Sequence, residues 1–453
     1  MNPIRRTHHP LQALMGGLLI AAAGLAHADF LFTVNTTADL VDINFSDVQC
    51  RTAANNCSLR AAIMQANHLS AAGVITIVVP VGVYVLGPPV GSDPNGDNGE
   101  ASGGLNITTP LGPDQYLQIV GAGADRTFID GNQTDRVMEF AAGRVARIEG
   151  LTLRNGRRGG INSFAGGLLN FAELTIANCI VENNRSESSG GGVISEGGSG
   201  SGARLDIIDS IIRNNQAAFA GGGLSLSGIN TIRGSTIHGN SAGISGGGIY
   251  AHATTYIVNS TISSNVANTD GGGIYATLAT TALYNVSVVN NDADHDRDQN
   301  GGIGGGVFIA ATNGRFIVVN SLIASNTILD APIDDDCNGP LEVYGWNLFG
   351  TTSGCSYSGN GTAARGLVAL NSIGPLQDNG GPTPTHALLA GSAAIDTTRD
   401  VLGCVDEIGI RLDFDQRGAP RPAGMRCDVG AYEYGAIPPV NERIFGSGFD
   451  VAP

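Results

Sequence analysis

The chain has 453 residues, 67 of them glycine, and only 14% charged side chains, a composition that argues against an ordinary helical enzyme and for many tight turns. Every cation is an arginine, and the balance of 24 basic against 40 acidic groups gives a formal charge of −16. A body this acidic is repelled by phosphate backbones and anionic lipid, which argues against nucleic acid and direct lipid binding and leaves cations, neutral glycans and cationic surfaces.

Residues 1–28 combine basic Arg5 and Arg6, an apolar run from Leu14 to Leu25 and the small-residue step Ala26-His27-Ala28. This is the pattern of a secretory signal, and the run is too short to span a bilayer. Export to the extracellular space or outer cell surface is expected, and the mature chain then carries 22 − 40 = −18 charges. No later stretch supplies the roughly 20 uninterrupted apolar residues of a transmembrane helix.

Residues 29–147 are expected to hold an N-terminal cap and first coils. Leu59, Ala62, Ile63 and Ala66 fall on one helical face within Ser58 to His68, a helix suited to cover the open end of a core. Strand patterning follows from Val74 to Leu86 and from Leu117 to Gly123.

Residues 148–330 carry a repeat. Aligned on Asn184, Asn215, Asn240, Asn265, Asn291 and Asn326, the intervals are 31, 25, 25, 26 and 35, so one coil takes about 25 residues. Three residues earlier stand Val181, Ile212, Ile237, Ile262, Val288 and Ile323, and five earlier Cys179, Ser210, Ser235, Ser260, Val286 and Ser321. Seven earlier come Ala177, Ile208, Arg233, Val258, Tyr284 and Val319, apolar in all but one coil. This period of two predicts a strand with these columns inward. The intervening Asn178, Asp209, Asn259, Asn285 and Asn320, interrupted by Gly234, are then expected to point outward as a candidate ligand face.

Six residues after the asparagine comes a glycine triplet, as in Gly221 to Gly223 and Gly246 to Gly248, expected at a coil corner. Stacking equivalent strands turns each column into a ladder, with amide-to-amide bonds among the asparagines. Cys179 reads as a small thiol filling a position in the serine ladder. The expected fold is an all-β, right-handed parallel β-helix with a short N-terminal capping helix and an irregular, disulfide-stapled C-terminal region.

In the fifth coil the offset from asparagine to glycine grows to 13, and the added loop holds Asp292, Asp294, Asp296 and Asp298 beside His295. It reads either as a solvated acidic loop or as oxygen ligands for calcium. Tyr250 and Tyr275, with Phe308, directly follow the residues that restart strands, and read either as a sugar-stacking surface or as an aromatic ladder over backbone.

Residues 331–436 form a Gly-, Pro- and Asp-rich region, and residues 437–453 read as a tail. The cysteines fall into three sequence-local pairs, Cys50 with Cys57, Cys337 with Cys355 and Cys404 with Cys427, for which short-loop disulfides are the default in an oxidising compartment and zinc the alternative.

The segment Asn56-Cys-Ser-Leu-Arg-Ala-Ala-Ile63 resembles the CSLREA motif of exported β-helix proteins, with Ala61 departing from it, and the middle coils resemble the pectin-lyase-like superfamily. Gly374 to His386, Gly391 to Asp396, Asp415 to Gly418 and Asp428 to Glu433 resemble in order the blocks of the choice-of-anchor Q domain. These resemblances imply a secreted or cell-surface protein and fix no reaction.

Enzymes of this fold act on polysaccharides. Hydrolysis needs paired carboxylates, and no such pair stands in the repeats. Elimination needs calcium and a base, a part open only to Arg213 or Arg233. The expected role is a structural, adhesion or glycan-interaction module facing a glycan or a cell-surface protein. The alternative is a polysaccharide lyase or glycoside hydrolase acting on an acidic polysaccharide.

Overall fold

The computed structural model describes residues 29–88, 102–112, 114–159, 164–197, 202–296, 302–310, 314–328, 333–365, 372–398 and 403–439. The expected signal at 1–28, Asp298 and residues 440–453 of the tail lie outside them.

One coil shows the plan. Arg204–Ile208 forms the long face, Ile211–Arg213 the central face, Gln216–Ala217 the narrow face and Leu224–Leu226 the return face, before Ile229–Arg233 restarts the long face. Each strand pairs in parallel with its equivalent one coil on, Ile207 with Ile232 and Ile212 with Ile237. Among the described residues this stacking builds sheets of 20, 11 and 8 strands, the first spanning the long and return faces. The chain is therefore a parallel β-helix. Its interior is a continuous apolar column that includes Ile207, Ile212, Leu224, Ile232, Ile237 and Ile249.

The corners explain the register. Asp209, Asn214 and Gly221 have φ of 47°, 53° and 68°, and two coils later Asn259, Ser264 and Gly271 have 51°, 54° and 68°. A left-handed residue at each of these three corners turns the chain between flat faces, which Asn, Asp and Gly tolerate best.

This corrects the expected strand. The residue six before the ladder asparagine is a corner, not a strand position, so the period of two restarts there. Ile207, Ile232, Ile257, Leu283 and Val318 fill the core, while Ile208, Arg233 and Tyr284 in the column expected inward are partly exposed on the long face.

The glycine triplet divides its work. Gly246 supplies positive φ, and a Cβ on Gly247 would lie 2.2 Å from the carbonyl oxygen of Val266. No side chain fits such an approach, so the middle glycine is required by packing rather than by torsion.

Both polar ladders form. The amide Nδ2 of Asn184, Asn215, Asn240, Asn265 and Asn291 donates to Oδ1 of the next asparagine at 3.0, 3.0, 2.9, 2.9 and 2.9 Å. Asp336 ends the series, accepting from Asn326 Nδ2 at 2.8 Å. In the serine column the backbone N–H of Cys179, Ser210 and Ser235 donates to the hydroxyl one coil on, each at 3.1 Å. The Cys179 thiol is buried, and desolvation pushes it up to about 12, the character of a filler rather than a nucleophile.

At the N-terminal end α1 (Leu59–His68) covers the core, with Ser58 as its N-cap and Leu59, Ala62, Ile63 and Ala66 packed inward. At the other end the solenoid runs past the expected limit at 330. Cys337–Tyr344, Trp346–Phe349, Cys355–Ser358 and Thr362–Arg365 continue its sheets. Disulfides join Cys50 to Cys57, Cys337 to Cys355 and Cys404 to Cys427.

Residues 372–439 then leave the coil plan. Apart from a hairpin of Ile373–Gln377 with Thr385–Leu388, they are mostly turns, and they fold back along the central face as a clasp.

Candidate functional site

The clasp occupies much of the surface expected to receive a ligand. Asn259 Nδ2 donates to the Phe414 carbonyl at 3.1 Å and Asn285 Nδ2 to that of Val405 at 2.9 Å, while Asn320 donates to that of Gly403. Asn285 and Asn320 are buried. In the earlier coils Asn178 bonds Glu149 Oε1 at 3.2 Å, and burial pushes the Asp209 carboxyl up to about 6. The expected outward face is therefore a column of corners, of which the last three hold the chain's own C-terminal region.

The central face makes the rest of the dock. Gln416 Nε2 donates to Thr236 Oγ1 at 2.8 Å, its Oε1 accepts from Thr261 Oγ1 at 2.6 Å, and the Ser287 hydroxyl accepts from Ala431 N at 3.0 Å. His386 Nδ1 bonds the Gly374 carbonyl and Nε2 the Ser263 hydroxyl, both at 2.8 Å. A carbonyl only accepts, so the proton sits on Nδ1 and Nε2 receives the serine proton. Ser263 and His386 resemble a nucleophile with its base, but both are buried where the clasp meets the central face, and burial lowers the imidazole's pKa. The pair is a docking contact.

Three of the four motif blocks bind one another within the clasp. Arg421 Nε meets Glu433 Oε2 at 2.9 Å and Arg417 Nη2 meets Asp415 Oδ2 at 2.6 Å, all four side chains buried. Arg417 also lies 3.6 Å from the centre of the Tyr432 ring. Asp428 accepts from Asp396 N at 2.6 Å, and desolvation followed by the nearby Glu433 charge pushes its carboxyl up to about 7. Arg421 reaches out of this network to Asn259 Oδ1 at 3.2 Å, tying it to the solenoid.

Of the acidic stretch in the fifth coil the structure describes Asp292, Asp294 and Asp296. Asp292 opens the narrow-face strand Asp292–Ala293, is buried, and accepts from Thr327 Oγ1 at 2.9 Å, with His295 Nδ1 at 3.2 Å from its other oxygen. Asp294 is a buried corner with φ of 56°, whereas Asp296 is exposed. Among the described residues no three His, Cys, Asp or Glu side chains stand together as ligands. The strand ends at Ala293 and a left-handed corner follows at Asp294, so the spacing of two does not carry these aspartates along one strand face.

Tyr250, Tyr275 and Phe308 form a ladder on the return face, with ring centroids 5.3 and 5.0 Å apart and planes 12° and 25° from parallel. Tyr275 presents both ring faces to its neighbours.

A concave site that no sequence motif marks lies among the described residues. On the long face Arg204, Asp206, Ile208, Thr231 and Arg233 line a shallow cleft closed on one side by Glu407 of the clasp. Arg204 Nε meets Asp206 Oδ2 at 3.1 Å, and Arg233 pairs with Glu407 Oε1. Glu407 Oε2 is buried with no hydrogen-bond partner among the described residues. Tyr256 stands beside Thr231 in the next coil. The two walls are 174 residues apart at the Arg233 pair, so no local motif could announce the cleft.

The fold and this surface define a β-helix with a docked C-terminal clasp. A scan of family models gives no match, and none of the curated proteins matches the chain.

Proposed function

We propose that this chain is an exported or cell-surface β-helix module that engages a glycan, or a glycan-bearing surface, through its flank. The observation that carries this reading is the clasp. By docking along the central face rather than across the end of the solenoid, it ties successive coils into a rigid body and leaves the long face as a lateral surface with a preformed cleft. The three disulfides fit an oxidising compartment, and no described helix is long and apolar enough to cross a membrane. The resemblances to exported CSLREA-type and choice-of-anchor Q proteins support the same placement.

Two assays test the proposal. Incubation with insoluble cell-wall polysaccharide is expected to retain the protein without releasing product. Appearance of unsaturated or new reducing ends from an acidic polysaccharide would replace the module with a lyase or hydrolase, and failure to be retained by any cell-wall fraction would remove the glycan reading.

A further inference from the structure

The cleft beneath Glu407 carries more than a location, because its charges are already matched. Arg204 is neutralised by Asp206 and Arg233 by Glu407. An anionic ligand would have to compete with Asp206 and Glu407 for the guanidinium groups, and a cation would have to compete with the arginines for the carboxylates. Either exchange costs the existing pair. A ligand bearing neutral hydroxyls needs no exchange.

The polar atoms left over suit such a ligand. Glu407 lines the cleft, its Oε2 is a buried acceptor with no hydrogen-bond partner among the described residues, and a buried carboxylate oxygen without a donor costs free energy until one arrives. Arg204 is half-exposed and holds Asp206 through Nε and Nη2 at 3.1 and 3.5 Å, which leaves the Nη1 donors outside that pair. Thr231 adds a hydroxyl to the lining, while Ile208 supplies apolar surface. Acceptor, donors, hydroxyl and a short apolar floor are the complement of a sugar ring, whose vicinal hydroxyls donate and accept while its C–H face packs on carbon.

Resting on the glycan-interaction reading above, we propose that the cleft between the long face and the clasp binds a neutral, hydroxyl-rich saccharide, with Glu407 Oε2 accepting from a sugar hydroxyl and Arg204 donating to its neighbour. The site is composite. Five side chains come from two successive coils, Arg204, Asp206, Ile208, Thr231 and Arg233, and the sixth from the clasp, so sugar binding and clasp docking stabilise each other.

Titration calorimetry of the full chain with cello-, malto-, manno- and xylohexaose, and with hexagalacturonate as the acidic probe, tests this. A saturable heat with at least one neutral hexaose is expected. Glu407→Gln, which turns the orphan acceptor into a donor while keeping an oxygen toward Arg233, should weaken it about tenfold or more, the scale of one hydrogen bond to a charged group. Thr231→Arg, which fills the cleft from the solenoid side, should weaken it likewise with the fold checked by its melting temperature, and Tyr275→Ala on the return face should leave it unchanged.

Neutral-sugar binding that survives both cleft variants would overturn the site while keeping the glycan reading. Binding of hexagalacturonate alone would overturn the neutral class. Retention on cell-wall polysaccharide without heat from any hexaose would overturn this proposal and leave the broader reading standing.

Discussion

From Asn184 to Asn291 each ladder asparagine donates its side-chain amide to its own equivalent one coil away, whereas between Asp396 and Glu433 the buried polar side chains find partners of different kinds. The asparagine amides repeat one bond at 2.9 to 3.0 Å. The clasp instead relies on two buried ion pairs and backbone N–H donors, with Arg421 alone touching Glu433, the Gly430 carbonyl and Asn259. Stability in the solenoid is therefore distributed over neighbouring coils, and in the clasp it is concentrated in a few residues.

The largest effect should come from breaking that concentration. Arg421→Met leaves the Glu433 carboxylate buried and unpaired, a loss of about 3–5 kcal/mol that should fall on clasp docking rather than on the coils. Differential scanning calorimetry should then resolve two transitions in place of one. Next, Asn265→Ala removes the acceptor of Asn240 N and Nδ2 and a donor to Asn291, and should cost about 2–4 kcal/mol of the whole solenoid by chemical denaturation.

Acidity separates the regions more gently. Asp428 has its carboxyl raised from 3.8 to about 7 in the folded clasp, so the folded state holds this proton after the unfolded chain has released it. Its contribution is full below the unfolded value and is lost as pH rises through the window from about 4 to 7. The clasp transition should soften over that range, and Asp428→Asn should flatten the slope. The smallest contrast lies in the fifth coil. Asp292→Ala loses the Thr327 bond and should cost about 1 kcal/mol, while exposed Asp296→Ala should stay within about 0.5 kcal/mol, both read from denaturation midpoints. Calcium added to the parent protein should give no heat that Asp294→Ala abolishes.

The difference between the regions also decides what could be read from the sequence. Columns that repeat every coil are visible in one chain, and the ladder asparagines, the core isoleucines, the glycine corners and the helix at Ser58 to His68 were all legible. The phase error at Ile208, Arg233 and Tyr284 arose because a left-handed corner resets alternation. Gly234 among Asn and Asp was the cue, since those three residue types share tolerance of positive φ rather than polarity.

The clasp contacts were not legible because they join residues far apart in the chain, such as Gln416 with Thr236 and Thr261. A weaker signal did exist. Four residues before the ladder asparagine, Ile180 and Ile211 give way to Thr236, Thr261 and Ser287, and two before it Glu182 and Arg213 give way to His238, Ser263, Val289 and Ala324. Loss of charge from one column in successive coils marks a face about to be covered. His238 fits this, with burial and then the Arg213 charge lowering its pKa to about 4.

The central claim is that the clasp is a separate layer docked on a finished solenoid. Hydrogen exchange on Arg421→Met tests it most directly. The account predicts that amides from 403 to 434 lose protection while those of Arg204–Ile208, Thr236–His238 and Thr261–Ser263 keep it. Simultaneous loss in both regions, or unchanged protection of the clasp, would contradict it.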